Sequence, residues 1–308
     1  MQIFFLEADK PVQKRYFLDP KTQELVKEGY PFVYNFTSSL QNPYNLNDFA
    51  DAIRKESVRK STLIKGKLNR SLNSESRAGA TNPEEPTDWV CLDLDGINNY
   101  QNVDEFLADI GCGDVDYVLQ WSSSMRIENE KGFRCHIFMA LDKATRPQLL
   151  KQWLKHLNLT RSTIASQIEL TKTGNALRWP LDITTCQNDK LIYIAPPDLG
   201  KGIADPYPKP IDRIVFHQRG NRVLTIDFGL VLPAKVDELE NQRLNELRVK
   251  AGITKPKAPK FKYSGTIEYM TNPSRAVVSD IKEERGFTYL NLNGGDSWAY
   301  YHPTDNPQ

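Results

Sequence analysis

Hydrophobic positions recur with strand or helix spacing through most of the first 250 residues. Short apolar or alternating runs predict strands over residues 2–6, 89–95, 117–121, 133–141, 166–170, 176–181 and 191–194. Helical spacing predicts helices over residues 46–60, 103–110, 145–157 and 236–250, with Asn47 and Thr145 as N-caps of the first and third. The polar segment 61–87, rich in Ser, Asn and Arg, is typical of a long loop.

This succession of strands and helices predicts a mixed α+β (or α/β) domain over residues 1–234. The segment 254–262 has two prolines, four lysines and no acidic residue, which is typical of a linker. We therefore expect a helix and basic linker over residues 235–262 and a short C-terminal extension over residues 263–308. Because the chain stops without a closing element, we expect this extension to lead into a further domain.

Composition narrows the class of protein. The 308 residues carry a net charge of +1 and include 13 Phe, 13 Tyr and 5 Trp, which argues against general disorder. No apolar run is long enough to span a bilayer, so we expect a soluble, cytoplasmic protein without a membrane partner. The four cysteines form no C-x-x-C pair, so free thiols are expected rather than a zinc ribbon.

The sharpest chemical feature is Asp93-Leu94-Asp95, which ends an otherwise apolar strand. Residues two apart in a strand share a face, so the two carboxylates project together. Like charges this close repel, and a divalent cation between them offsets the repulsion. Mg²⁺ and Mn²⁺ prefer such oxygen ligands. The alternative is a pair of solvated acids before a turn.

A second feature is the strand-like run that contains Arg134 and His136. Both side chains belong to one face, and a guanidinium beside an imidazole suits a phosphate chain better than a hydrocarbon core. Ser122 and Ser124 precede this run and offer hydroxyl donors. A core or surface histidine and an ordinary serine loop remain the alternatives.

A third carboxylate has two candidates. Glu169 alternates with apolar neighbours and would join the two aspartates, while Asp182 is the competing choice. Arg178 offers a phosphate contact, or it forms a surface ion pair with Asp182.

Basic residues cluster in two segments. Residues 54–77 carry eight Lys or Arg against two Glu, and residues 248–262 carry six and no acid. Such runs attract phosphate backbones, although a solvated surface has the same composition. The predicted nucleic-acid contacts are Lys65, Lys67, Arg70 and Arg77.

Taken in chain order, these residues resemble the archaeo-eukaryotic primase superfamily, in particular the primase-polymerase domains of phage and plasmid replication proteins. Leu92-Asp93-Leu94-Asp95-Gly96 is similar to the family's hydrophobic strand ending in D-x-D. Arg134-Cys135-His136 is similar to its small-x-His motif, although Arg134 departs from the small first residue. Ile168-Glu169 is similar to its third motif, a hydrophobic residue followed by an acid. Leu177-Arg178-Trp179-Pro180 resembles a downstream Arg-x-Pro.

The resemblance covers about residues 60–200 and implies an RRM-like catalytic core with additional N-terminal elements. It implies a DNA primase or polymerase that transfers nucleotides from (d)NTPs to a primer or initiating nucleotide on single-stranded DNA. Mg²⁺ or Mn²⁺ would be held by Asp93, Asp95 and Glu169, and His136 would bind or orient the triphosphate. Arg134, Arg178, Ser122 and Ser124 would contact phosphates. A fused or separate helicase is the implied partner.

Two other classes of function fit parts of the sequence. A D-x-D after a strand also serves metal-dependent glycosyltransferases, but that interpretation leaves His136 and the basic segment unexplained. A non-catalytic DNA-binding module of a replication complex would use the acids structurally. Trp121 and Trp179 offer base stacking, with core packing as the alternative use.

Overall fold

A computed structural model describes residues 1–128, 132–207, 209–220 and 222–253, and the backbone of four strands between residues 266 and 301. The fold is mixed α+β, as the sequence predicts. The predicted linker 254–262 lies outside the described residues. The helices are α1 (Leu46–Val58), α2 (Val103–Asp109), α3 (Pro147–Thr160), α4 (Ser162–Ala165) and α5 (Pro233–Lys250), with 3₁₀ turns at Ile183–Cys186 and Pro210–Arg213.

The strands fall into several separate sheets. In chain order they are β1 (Ile3–Ala8), β2 (Arg15–Leu18), β3 (Leu25–Glu28), β4 (Asn35–Gln41), β5 (Thr62–Ile64), β6 (Glu75–Ser76), β7 (Thr87–Ile97), β8 (Tyr117–Trp121), β9 (Phe133–Thr145), β10 (Glu169–Leu170), β11 (Leu177–Arg178), β12 (Leu191–Tyr193), β13 (Asp198–Leu199), β14 (Ile214–His217), β15 (Thr266–Glu268), β16 (Arg275–Glu284), β17 (Phe287–Leu292) and β18 (Trp298–Tyr301).

The sheet that carries the predicted motifs has the order β14-β8-β9-β7 and is antiparallel throughout. Helix α2 connects β7 to β8, and β9 lies between those two strands. This arrangement is a split βαβ unit. On one face of the sheet, Leu92, Leu94 and Ile137 pack against the apolar sides of α2 and α3.

The opposite face of this sheet packs against the N-terminal part of the chain. Trp89, Cys91 and Phe138 contact a core that includes Phe49 and Ile53 of α1. Behind α1, a second sheet has the order β12-β5-β1-β4-β6. The N-terminal elements therefore share a hydrophobic core with the strands that carry the motifs.

A smaller sheet, β13-β2-β3, brings the N-terminal hairpin to the end of the central sheet. Its contact with the segment after β8 is polar: the Tyr16 hydroxyl donates to Glu128 at 2.5 Å, and Lys27 pairs with the same carboxylate at 2.7 Å. The sequence patterns did not predict β2, β3 or β4.

Several local predictions need correction. The N-cap of α1 is Asn45, whose side chain accepts from the backbone N–H of Asp48, and not Asn47. Arg146, and not Thr145, occupies the N-cap of α3. The predicted loop 61–87 contains β5, because Thr62, Leu63 and Ile64 are buried between β1 and β12.

The two strands predicted over residues 166–170 and 176–181 are much shorter in the structure. They are reduced to the two-residue pair β10 and β11. The helix predicted over 236–250 is confirmed as α5, which begins three residues earlier at Pro233.

Candidate active site

Polar side chains form two rows across the end of the central sheet. Asp93 of β7 lies opposite His136 of β9, which in turn lies opposite Gln120 of β8. One row further along, Asp95 lies opposite Arg134. Because directly paired residues share a face, all these side chains point to the same side of the sheet.

The preceding row on this face is apolar and consists of Cys91, Phe138 and Val118. The polar rows therefore begin where the hydrophobic core of this face ends. Alternation along each strand places the two acids on one face of β7 and the imidazole on one face of β9, as the sequence predicts. The pairing of β7 with β9 then brings these groups together.

His136 is held by contacts on both ring nitrogens. Its Nε2 lies 3.5 Å from Oδ2 of Asp93, and its Nδ1 contacts Oε1 of Gln120. The Gln120 amide nitrogen donates to the carbonyl of Trp121 at 2.9 Å, which turns Oε1 toward the imidazole. An amide oxygen only accepts, so Nδ1 carries a proton, and Nε2 faces Asp93.

The charge of Asp93 is stabilised by its surroundings. Burial alone would raise its pKa, but the charge and hydrogen bond of His136 together with the charges of Lys190 and Lys14 outweigh that effect. The net result is a pKa below the usual range for an aspartate, so the carboxylate is ionised at neutral pH.

Asp95 and Glu169 are tied to arginines. Asp95 contacts the guanidinium of Arg134 and lies 3.8 Å from that of Arg178. Glu169 is opposite Arg178 in the β10–β11 pair, and their charged groups are 3.5 Å apart. Of the two alternatives for Arg178, the ion pair is found, but with Asp95 and Glu169 in place of Asp182.

Asp182 reaches the cleft through a backbone connection to β7. Its N–H donates to the carbonyl of Asp93 at 3.0 Å, and Leu181 bridges to Leu94. The Asp182 carboxylate accepts from the ammonium of Lys190 at 3.1 Å and caps the 3₁₀ turn at the N–H of Thr184.

These rows open into a cleft of about 380 Å³. Among the described residues, Asp182 lines this cleft and Glu169 does not. The other predicted residues in the lining are Asp93, Asp95, Ser122, Ser124, Arg134, His136 and Arg178. The structure thus gathers all the residues predicted to contact metal, phosphate or triphosphate except Glu169. The carboxylate of Glu169 is exposed and lies beside Arg178.

The turn that carries Ser122 and Ser124, the serine turn, is held in place by a buried arginine. The hydroxyls of Ser122 and Ser124 are 3.0 Å apart. Arg213, which is buried, donates to the carbonyl of Ser122 at 2.9 Å and to Asp205 at 2.7 Å, and its guanidinium lies 4.3 Å from the ring centre of Tyr207. The guanidinium therefore fixes the position of the turn that forms one wall of the cleft.

Lys14, Tyr30 and Tyr193 also line the cleft, although no sequence motif pointed to them. The rings of Tyr30 and Tyr193 stack with their centres 3.8 Å apart, and the Tyr30 hydroxyl lies 3.3 Å from Oγ of Ser123. Burial is the main cause that lowers the pKa of Lys14. These residues carry no local motif, so only the packing of distant segments could have revealed them.

The predicted nucleic-acid contacts divide into two groups. Lys67, Arg70 and Arg77 lie in the surface segment after β5, and Arg77 donates to the carbonyl of Asp189 at 2.7 Å. Lys65 is only 1% exposed. It contacts the hydroxyl of Thr87 and lies 4.3 Å from the ring centre of Trp89. The prediction that Lys65 contacts a nucleic acid is wrong, because its ammonium is enclosed in the core.

The two candidate stacking tryptophans are partly buried against the core of the central sheet. Trp121 packs against Phe133, with ring centres 6.3 Å apart. Trp179 also reaches the cleft lining. All four cysteines are buried and free, as predicted.

No family model matches this chain, and none of the curated proteins or solved structures compared with it matches either. Within the described residues, no set of three or more His, Cys, Asp or Glu side chains is arranged to enclose a metal ion. None of the helices in the same part of the chain has the length and apolarity needed to cross a membrane.

Proposed function

We propose that this chain is a primase-polymerase nucleotidyltransferase of phage or plasmid replication. It would join (d)NTPs to a primer or initiating nucleotide on single-stranded DNA. One observation carries the proposal: Asp93 and Asp95 of β7 face one cleft together with His136 and Arg134 of β9. The resemblance of these motifs to the archaeo-eukaryotic primase superfamily supplies the reaction type.

In that reaction a 3′-hydroxyl oxygen attacks the α-phosphorus and loses its proton. The bond between the α-phosphorus and the oxygen that bridges to the β-phosphate breaks, and pyrophosphate leaves. The protein does little covalent chemistry and acts by positioning groups and neutralising charge. A cleft lined by carboxylates, guanidiniums and hydroxyls suits that task.

The donor set fits Mg²⁺ or Mn²⁺. These ions take carboxylate oxygens, and Mg²⁺ is usually held by one or two carboxylates together with substrate phosphates, so a cage of three protein ligands is not required. Asp93 and Asp95 would hold the ion. When bound, it would lower the pKa of the attacking hydroxyl and neutralise charge on the phosphates.

Asp182 is the better candidate than Glu169 for a third carboxylate. It lines the cleft and is hydrogen-bonded to the backbone of Asp93. Leu181-Asp182 also satisfies the pattern of a hydrophobic residue followed by an acid. Glu169 instead accompanies Arg178 at the edge of the β10–β11 pair.

The remaining residues would bind the triphosphate. His136 presents Nε2 to the cleft, and Arg134 and Arg178 would exchange their contacts with Asp95 for phosphate oxygens. Ser122 and Ser124 offer hydroxyl donors in the same cleft lining. These roles rest on the cleft lining and on charge.

The fold supports the proposal in part. The split βαβ unit of β7, α2, β8 and β9 suits an RRM-like core. Strand β14 lies beside β8, whereas the ferredoxin-like order places the fourth strand beside the first.

A non-catalytic DNA-binding module is the second candidate. It is favoured by the two arginines that accompany Asp95, because such pairing gives the acid a structural role. In that case the carboxylates would support the cleft and hold no ion.

Incorporation of labelled nucleotides on single-stranded DNA, with and without a primer and with Mg²⁺ or Mn²⁺, tests the proposal. Asp93→Asn and Asp95→Asn should each reduce metal-dependent product by roughly 100-fold or more. Asp88→Asn is the matched control, because Asp88 lies at the other end of β7 and should leave the rate unchanged.

A folded wild-type protein that gives no product under any condition rejects the nucleotidyltransferase. If that protein still binds single-stranded DNA, the binding module is the better description. Wild-type rates for both cleft variants would also reject the proposed ion site.

A further inference from the structure

Two strongly exposed aromatic rings lie just outside the cleft. Phe32 is 91% and Tyr34 is 78% exposed, and both belong to the segment that joins β3 to β4. The same segment begins beside Tyr30, which lines the cleft and is fixed by its stacking on Tyr193. The exposed rings therefore follow a residue of the cleft wall closely along the chain.

Basic side chains lie at the far end of this segment. Tyr34 immediately precedes β4, whose first residue, Asn35, pairs with Ser76 of β6. Arg77 follows Ser76 in the chain, and Arg70 donates to the carbonyl of Ser76 at 3.0 Å. The exposed rings and the basic segment 65–77 thus meet at one edge of the five-stranded sheet.

The charged side chains in β6 and on its flanks include Arg70, Glu75 and Arg77. Arg70 pairs with Glu75 at 2.5 Å, which neutralises one guanidinium. Arg77 donates to a backbone carbonyl, which leaves its charge in place. A guanidinium and exposed aromatic rings on two neighbouring segments match a ligand that carries both phosphates and flat bases.

The surroundings favour a nucleic acid over a protein partner. Along β4, the exposed residues that follow the rings on one face are polar, Asn35, Thr37 and Ser39, and Leu40 is exposed on the other face. A docking surface for a protein has a contiguous apolar centre, whereas base stacking needs only separate rings along a polar, basic track.

We propose that Phe32 and Tyr34 form a stacking platform for a single-stranded polynucleotide, with Arg77 on its phosphates. If the proposed function holds, this strand is the DNA template that enters or leaves the cleft. The platform itself requires only that the chain binds single-stranded nucleic acid.

Fluorescence anisotropy of a labelled oligo-dT tests the platform. The double variant Phe32→Ala/Tyr34→Ala should raise the Kd by roughly tenfold or more, because the loss of one base–aromatic stack raises the Kd by about tenfold. Phe32→Trp/Tyr34→Trp should retain the wild-type Kd, because an indole also stacks. Both substitutions are at exposed positions, so the thermal midpoint should not change.

Tyr44→Ala is the matched control. Tyr44 is 96% exposed but lines a separate pocket with Asp88 at the other end of β7, so its loss should leave the Kd unchanged. An equal Kd for the double alanine variant and the wild type would overturn the platform. A wild type with no measurable affinity for the oligonucleotide would also overturn it.

The binding result is independent of catalysis. If the wild type incorporates no nucleotide but its Kd rises in the double alanine variant, the platform holds and the polymerase proposal fails. If incorporation is found while the Kd is insensitive to both rings, the platform alone is rejected.

Discussion

Nδ1 of His136 contacts Oε1 of Gln120, so the imidazole presents Nε2 to the carboxylate of Asp93 and to the cleft. Gln120 is almost fully buried and is itself held by the carbonyl of Trp121. A buried amide that accepts from one ring nitrogen fixes the proton on that nitrogen and the rotation of the ring. Gln120 is thus a positioning residue for His136.

Replacement of Gln120 by Leu should release this constraint. The Nδ1 proton would lose its acceptor, which costs about 1–3 kcal/mol of folding free energy. Nucleotide incorporation should fall by roughly tenfold or more, because His136 loses its orientation; tenfold in rate corresponds to about 1.4 kcal/mol of activation free energy. Nitrogen-15 NMR of the histidine side chains should show the Nδ1-protonated form of His136 in the wild type.

Gln120→Glu is the matched variant, because it keeps an oxygen acceptor at the same place. We expect it to keep the Nδ1 proton that Gln120→Leu loses. A wild-type spectrum in which Nδ1 of His136 carries no proton would contradict the contact with Gln120, whatever the activity of the protein.

Asp182→Asn and Glu169→Gln should differ in their effect on metal-dependent activity. Asp182 lines the cleft, so its variant should lose roughly tenfold or more of the rate and should weaken Mn²⁺ binding. Glu169→Gln should stay within a factor of a few. Mn²⁺ titrations followed by electron paramagnetic resonance provide a readout besides turnover.

Asp182 also caps a 3₁₀ turn, so the thermal midpoint of Asp182→Asn must be measured alongside. A loss of Mn²⁺ affinity in Glu169→Gln with none in Asp182→Asn would show that Glu169 is the third carboxylate, as the sequence resemblance implies.

Lys65→Met should stabilise the protein at neutral pH and below. Burial lowers the pKa of Lys65 from its ordinary value of 10.5 to about 7 in the folded protein. The unfolded chain keeps the ordinary value. The unfolded state therefore binds more protons between these values, so wild-type stability rises with pH across that window, by at most about 1.4 kcal/mol per pH unit.

The stability difference between Lys65→Met and the wild type should accordingly be greatest near pH 6 and shrink toward pH 10. Urea unfolding at several pH values measures it. Lys67→Met is the control, because Lys67 is half-exposed in the same segment and should show no such trend. A difference that stays constant with pH would argue that Lys65 is charged in the folded protein at every pH tested.

Arg213→Met should loosen the serine turn and destabilise the protein. Removing one partner of a buried ion pair costs about 3–5 kcal/mol, and Asp205 is left without its guanidinium. If the turn contacts the triphosphate, the apparent KM for nucleotide should rise more than kcat falls. Arg219→Met removes a more exposed pair with Asp104, so it should cost about 1 kcal/mol or less. Equal effects of the two variants on KM would contradict the role of Arg213.

Local patterns predicted the strands that carry the site because their evidence is local. Alternation over 89–95 predicts β7, and the run at 133–141 predicts β9, which extends to Thr145. The same argument failed at residues 166–170, where the turn after α4 occupies Ser166 and Gln167 and only Glu169 and Leu170 pair with another strand.

The sequence by itself determined that Asp93 and Asp95 share one face of β7, and that Arg134 and His136 share one face of β9, because side chains in a strand alternate with period two. Only the tertiary structure decided that these two faces are the same side of one sheet, since that depends on the β7–β9 register. It also placed Asp182 rather than Glu169 in the cleft, buried Lys65, and brought Tyr30 and Lys14 to the site. Each of these outcomes depends on contacts between distant segments, which no local pattern of residues encodes.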